Sequence, residues 1–243
     1  MPNAPQTSEH IVKGYDEELD RLTGEIQRMG ELALAQLESA IDAIMRRDSQ
    51  AALDVVGADA TIDALEEEVS HDVMRLLALR QPMARDLREV LAALRIAAAV
   101  ERIGDYAANV AKRSLVLNQS APVHLTNALP RLARLAQGLV QDVLAAYATR
   151  DDARALAAWA RDEELDAQYT GLFRELLTYM MEDPRNITPC THLLFMAKNL
   201  ERIGDHATNI AENVYFLVHG TPIAGTRRKG DASVSIADVD DPR

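Results

Sequence analysis

The pentapeptide Glu-Arg-Ile-Gly-Asp occurs twice in this chain, at 101–105 and at 201–205. The correspondence continues through Ala107/Ala207, Asn109/Asn209 and Ala111/Ala211. A second pair of segments also matches, Asp59-x-x-x-Asp63 and Asp162-x-x-x-Asp166. The pentapeptides are 100 residues apart and the aspartate pairs 103 apart, so the second unit is three residues shorter between its motifs. Repetition on this scale means duplicated architecture: what one unit builds, the other builds again.

The building material is helical. Ala and Leu are abundant and aromatic residues make up only 4% of the chain, whereas strands favour β-branched and aromatic side chains. Six helices are expected. The first runs from about Glu9 to Arg47, with Leu22, Ile26, Met29, Ala33, Leu37, Ala40 and Ile44 spaced by three and four. Asp48-Ser49 reads as a break and a new N-cap. A second helix continues to about Leu79, Gln81-Pro82 marks a turn, and a third covers roughly Met83 to Leu117. The polar, proline-containing segment 118–122 is the inter-unit linker. A fourth helix starts between Thr126 and Pro130 and ends near Thr149. Asp151 caps a fifth, which continues to about Glu182, and Asp183-Pro184 turns the chain. Thr188-Pro189 reads as an N-cap followed by proline at the first helical position. The sixth helix stops near His219-Gly220. The expected fold is all-α: two tandem three-helix bundles, at 9–119 and 123–220, between a flexible N-terminus, 1–8, and a flexible C-terminal tail, 221–243.

The chemistry of interest lies on the acidic positions. At about 100° per residue, i, i+4 and i+8 follow one side of a helix. Glu101, Asp105 and Asn109 therefore form one stripe, and Glu201, Asp205 and Asn209 its copy. The apolar stripe Ile96, Val100, Ile103, Ala107, Val110 centres roughly opposite, so the acids are expected off the main core. Arg102 and Arg202 should point about 100° away from the neighbouring Glu. Halfway along the chain between Asp59-x-x-x-Asp63 and the first pentapeptide lies Pro82, the expected turn. Halfway between Asp162-x-x-x-Asp166 and the second lies Asp183-Pro184. In an antiparallel hairpin, residues equidistant from the turn are level. Asp59, Asp63, Glu101 and Asp105 can thus converge, and so can Asp162, Asp166, Glu201 and Asp205.

Like charges at i, i+4 repel by about 0.2–0.5 kcal/mol per pair, and a cation relieves that. All-oxygen ligation suits hard metals, Mg²⁺, Ca²⁺, Mn²⁺ or iron, divalent or trivalent. Structural zinc, which wants His or Cys, is disfavoured. The competing explanation is a solvated acidic face. Gly104 and Gly204, which cost about 1 kcal/mol each inside a helix relative to Ala, point to close helix packing. His206 adjoins Asp205 but faces Tyr106 in the alignment of the repeats, and reads as a partly exposed histidine rather than a ligand. Arg85, Asp86 and Arg88 form a charged cluster after the Pro82 turn: a solvated helix start or, more sharply, a partner contact or anion site. Trp159 and Tyr179-Met180-Met181 read as core or interface.

Gross properties narrow the partners. A net charge of -12 repels phosphate backbones, so nucleic acid is not expected; basic proteins and metal cations are. No apolar run reaches a membrane-spanning length of about 18 residues. Met1 to Ser8 lacks the basic-then-apolar pattern of a signal peptide, and the one cysteine, Cys190, leaves no intramolecular disulfide. Cytoplasmic location is the expectation.

The segments Gln-Pro-x-Ala-x-Asp-Leu-Arg at 81–88, Leu-x-Tyr-Met-Met-Glu-Asp at 177–183 and the two Glu-Arg-Ile-Gly-Asp motifs resemble the PhoU family over about 9–220. The resemblance implies two three-helix bundles, often assembled as a homodimer. It implies a non-enzymatic cytoplasmic negative regulator of phosphate uptake and of the phosphate-starvation response. Such proteins couple the ATPase subunit of the phosphate ABC transporter to a phosphate-sensing histidine kinase, and meet the membrane only through those partners. Some members bind metal through paired E(D)-x-x-x-D motifs. The matching positions here are Asp59, Asp63, Glu101, Asp105, Asp162, Asp166, Glu201 and Asp205, with Asn109 and Asn209 as auxiliary candidates. Two other classes compete. A di-iron storage or redox bundle would need Glu-x-x-His motifs in a buried acidic stripe, and the paired sites lack the histidine. A metal-free scaffold would use its acidic faces to dock basic surfaces.

Overall fold

A computed structural model describes residues 6–224, with side chains described from Tyr15 onward except Asp16. The expected tail beyond 224 and residues 1–5 lie outside that range. Six α-helices and no strand occur among the described residues: α1 Gln6–Arg46, α2 Ser49–Arg80, α3 Arg85–Leu117, α4 Leu129–Thr149, α5 Asp152–Glu182 and α6 Ile187–His219. Short 3₁₀ turns, His124–Ala128 and Pro184–Asn186, lead into α4 and α6.

The local chemistry sets most of these ends. Asp48 accepts hydrogen bonds from the backbone N–H of Gln50 and Ala51, and Asp151 from that of Arg154, each satisfying donors a helix start leaves open. Arg47 and Arg150, immediately before these caps, share a left-handed φ of 55°. The two helix–helix corners are therefore copies, 103 residues apart. Gly220 ends α6 at φ 73°, donating to Phe216 O, the conformation glycine adopts without a Cβ penalty.

Three expected boundaries shift. Helix α1 begins at Gln6, so residues 6–8, read as tail, are helical. Helix α3 begins at Arg85 rather than Met83, because Ala84 sits at φ 51°, ψ -106°, outside the helical region. Helix α6 begins at Ile187, ahead of the expected Thr188 cap, because the 3₁₀ turn at Pro184–Asn186 runs straight into it. Pro189 then falls in the first turn, where its missing N–H costs no intrahelical bond.

Helices α1, α2 and α3 pack on one another, as do α4, α5 and α6. The bundles join along α3 and α6, with α1 touching α4, and one apolar core runs through both. Helices α3 and α6 are antiparallel: Arg88 lies against Gly220, Tyr106 against His206, and Arg113 over the ring of Phe195. The two Glu-Arg-Ile-Gly-Asp segments thus cross at the middle of the molecule. Trp159 and Tyr179 pack against the core, whereas Met181 is exposed.

Candidate metal centre

Each acidic site spans a helical hairpin, α2–α3 in the first unit and α5–α6 in the second. Glycine lets the helices approach. A Cβ on Gly104 would lie 2.9 Å from Ile62 Cδ1 and 3.6 Å from Asp59 Oδ1. A Cβ on Gly204 would overlap Leu165 and sit 2.5 Å from Asp162 Oδ1. The pentapeptide glycine is the contact point that brings each aspartate pair against the neighbouring Glu and Asp.

In the first site, one carboxylate oxygen from each of Asp59, Asp63 and Asp105 lies within 4.8 Å of the others. Three carboxylate oxygens this close together are within reach of one hard cation. Glu101 adjoins them and feels Asp105, Asp63 and Glu66. Burial, followed by these like charges, raises its carboxyl above the usual range; Arg102 opposes the shift. Burial likewise raises Asp59, opposed by a hydrogen bond from Gln36 and reinforced by Asp105 and Asp63. These are carboxylates held together against their own repulsion, the condition a bound cation relieves.

Two contacts in this site are not legible from spacing. Arg102, expected to point away, folds back: Nη1 donates to Asp105 Oδ2 at 2.7 Å and Nε lies 3.2 Å from Glu101 Oε2. Its long side chain covers the angular gap that the Cβ direction alone leaves. The other is Gln36 of α1, whose Nε2 donates to Asp59 Oδ1 at 3.0 Å. Gln36 is buried, and its Oε1 has no hydrogen bond. The available signal is its position, three residues after Ala33 and four before Ala40, which puts a glutamine on the buried side of α1.

The second site overturns one expectation. Asp162, Asp166 and Glu201 are 0%, 1% and 3% exposed; they are inside the protein, not on an open face. Burying carboxylates is costly unless they are compensated. Here Lys198 Nζ lies 2.7 Å from Glu201 Oε1, while Glu201 Oε2 is buried without a hydrogen bond. Burial raises the Glu201 carboxyl, Lys198 opposes that, and Asp205 and Asp166 add to it. The buried acidic stripe that a di-iron bundle needs, not expected from the sequence, is therefore present in this unit. The missing Glu-x-x-His at the paired sites remains.

The remaining candidates scatter. Asn109 is half-buried and Asn209 exposed, with its carbonyl accepting from Asn213. Arg85 and Asp86 are exposed, and Arg85 pairs with Glu89 at 3.2 Å. Arg88 is drawn away from them, against Gly220 at the end of α6.

Two three-helix bundles, each with an acidic hairpin site opened by a helical glycine, define a class of duplicated helical proteins. The chain belongs to the PhoU family: the PhoU domain matches residues 26–114 and again 129–214. It is 61% identical to the phosphate-specific transport system accessory protein PhoU homolog of Xylella fastidiosa, over 93% of this chain and 96% of that one. Its fold is that of PhoU from Pseudomonas aeruginosa, with a TM-score of 0.82 and 36% identity over 85% of this chain and all (100%) of that one. The phosphate transport system regulatory protein PhoU from Streptococcus pneumoniae is also similar, with a TM-score of 0.79 and 29% identity over 86% and 99% of the two chains.

Proposed function

We propose that this protein is an accessory regulator of a phosphate-specific transport system, restraining phosphate uptake and the phosphate-starvation response. It acts as a cytoplasmic adaptor, a homodimer that bridges the transporter's ATPase subunit and a sensor histidine kinase. The observation that carries the reading is the identity, along nearly the full length of both chains, with a relative named as such an accessory protein. No helix among the described residues is long and apolar enough to cross a membrane, in keeping with a membrane association made through partners. Deletion of the gene tests the reading: phosphate-responsive transcription should become constitutive in high phosphate, and tagged protein should co-purify the ATPase and the kinase. Unchanged transcription together with absence of both partners would sink it.

The acidic sites hold hard cations in this reading. Asp59, Asp63 and Asp105, with Glu101 beside them, take one in the first unit; Asp162, Asp166, Glu201 and Asp205 form the second. A bound cation would offset part of the carboxylate charge and hold the side chains of the two helices in one arrangement. Elemental analysis of protein purified without added metal, with anomalous scattering to locate it, tests this directly. Metal content unchanged in Glu101→Ala plus Asp105→Ala would remove the first site. One observation favours the metal-free scaffold instead: Arg102 already satisfies Glu101 and Asp105, so a basic side chain of a partner could do the same.

A further inference from the structure

We infer that the two acidic sites are not equivalent, and that Lys198, a cation supplied by the chain itself, makes the second the weaker binder of hard divalent cations. The inference rests on the metal-binding reading above and concerns how the second site differs from the first.

The repeat supplies the comparison. The pentapeptides align 100 residues apart, so the counterpart of Lys198 is Ala98, an exposed position with no charge to offer. Two contacts of Lys198 bear on the site. Its ammonium lies 2.7 Å from Glu201 Oε1 and 5.1 Å from the ring centroid of Tyr169. The carboxylate it meets is 3% exposed, so water screens the pair poorly. A divalent cation entering this site must either displace the ammonium from a buried partner or bind beside a positive charge. Both lower its affinity.

The first site has cations of its own, Arg102 and, acting on Asp59 from an exposed position, Lys112, but neither is tied to a fully buried carboxylate. The Arg102 side chain is 55% exposed, so its guanidinium can swing into water at little cost. Its counterpart Arg202 does not repeat the role; its guanidinium lies over the ring of Tyr106, 5.7 Å from the centroid. The third helix differs too. With the corners 103 residues apart, the counterpart of Gln36 is Leu139. Asp59 is therefore oriented by an amide hydrogen bond at 3.0 Å, whereas a buried leucine occupies the matching place in the second unit. Glu201 Oε2, buried and without a hydrogen bond, keeps an acceptor available there once the ammonium is gone.

Full-length protein titrated with Mn²⁺ alone, the free ion followed by electron paramagnetic resonance, tests the inference. Asp59→Asn plus Asp63→Asn identifies the first-site step. Wild type should show a tight class of Mn²⁺ and a second at least about tenfold weaker. Lys198→Met should tighten the weak class by about tenfold and leave the tight one alone. Ala98→Lys, at an exposed position that folding tolerates, should weaken the tight class. Circular dichroism checks that each variant is folded. Two equal classes in wild type, or a weak class unmoved by Lys198→Met and a tight class unmoved by Ala98→Lys, overturn this inference and leave the metal reading standing. No Mn²⁺ bound by any form overturns both.

Discussion

Tyr106 and His206 meet ring to ring, centroids 5.6 Å apart and planes inclined by 38°. Each directly follows the aspartate of its Glu-Arg-Ile-Gly-Asp motif. The two acidic sites are therefore joined back to back through one aromatic contact, at the point where α3 and α6 cross. Burial lowers the His206 imidazole below its usual range; Asp205 opposes that, and Arg102 and Arg202 add to it.

A neutral His206 makes stability depend on pH with a definite sign. The folded state resists protonation more than the unfolded state, whose histidine titrates near 6.5. Its contribution is complete above that value and lost as pH falls through the lower folded value. Urea midpoints should decline on acidification from about pH 7, and His206→Phe should flatten the decline. His192, lowered by its burial and by Arg113, leaves a residual slope of the same sign. A decline just as steep in His206→Phe would show that the group is not responsible.

The acidic sites carry the opposite sign. Asp59 is raised above its ordinary 3.8, so its ionisation at neutral pH costs stability, a cost that disappears as pH falls below the folded value. Asp59→Asn keeps the Oδ1 acceptor for Gln36 and removes the charge. In chelator at pH 7 it should raise the unfolding free energy by about 0.5 kcal/mol, the scale of the repulsions removed. In saturating Mn²⁺ the order should invert, because the variant has lost a ligand. Calorimetry in the two buffers decides the matter, and a variant destabilised in both would argue for a purely structural aspartate.

The pentapeptide glycines should tolerate a methyl group unequally. At Gly104 the closest atom is the tip of Ile62, at 2.9 Å, and a gain in helix propensity of about 1 kcal/mol offsets its displacement. Gly104→Ala should be within about 1 kcal/mol of wild type. At Gly204 the methyl overlaps Leu165 and crowds the buried Asp162, so Gly204→Ala should cost about 1–3 kcal/mol. Paired denaturation curves test the contrast.

Arg47 holds the inter-unit linker. Its Nη2 donates to the carbonyls of Leu117 at 3.1 Å, Asn118 at 2.9 Å and Ser120 at 2.5 Å. Arg47→Ala removes these bonds, two of them replaceable by water, and should cost about 0.5–1.5 kcal/mol. Limited proteolysis should then cut first within 118–122; an unchanged digestion pattern would count against the latch.

What is periodic and local can be read from the order of residues alone. The helices follow from the apolar spacing, the corners from Asp48 and Asp151, and the pairing of acidic motifs from their symmetry about Pro82 and about Asp183-Pro184. These rest on short-range geometry that a helix imposes wherever it forms. Identical motifs, however, acquired different surroundings. Burial of Asp162, Asp166 and Glu201, the return of Arg102 onto its neighbours, and the reach of Gln36 and Lys198 into the two sites depend on which side chains a third helix and the far end of a long side chain bring there. Asp59, Asp63 and Glu101 keep contact with solvent while their counterparts Asp162, Asp166 and Glu201 are sealed, because solvent access belongs to the packed assembly of helices and is not encoded in any one of them.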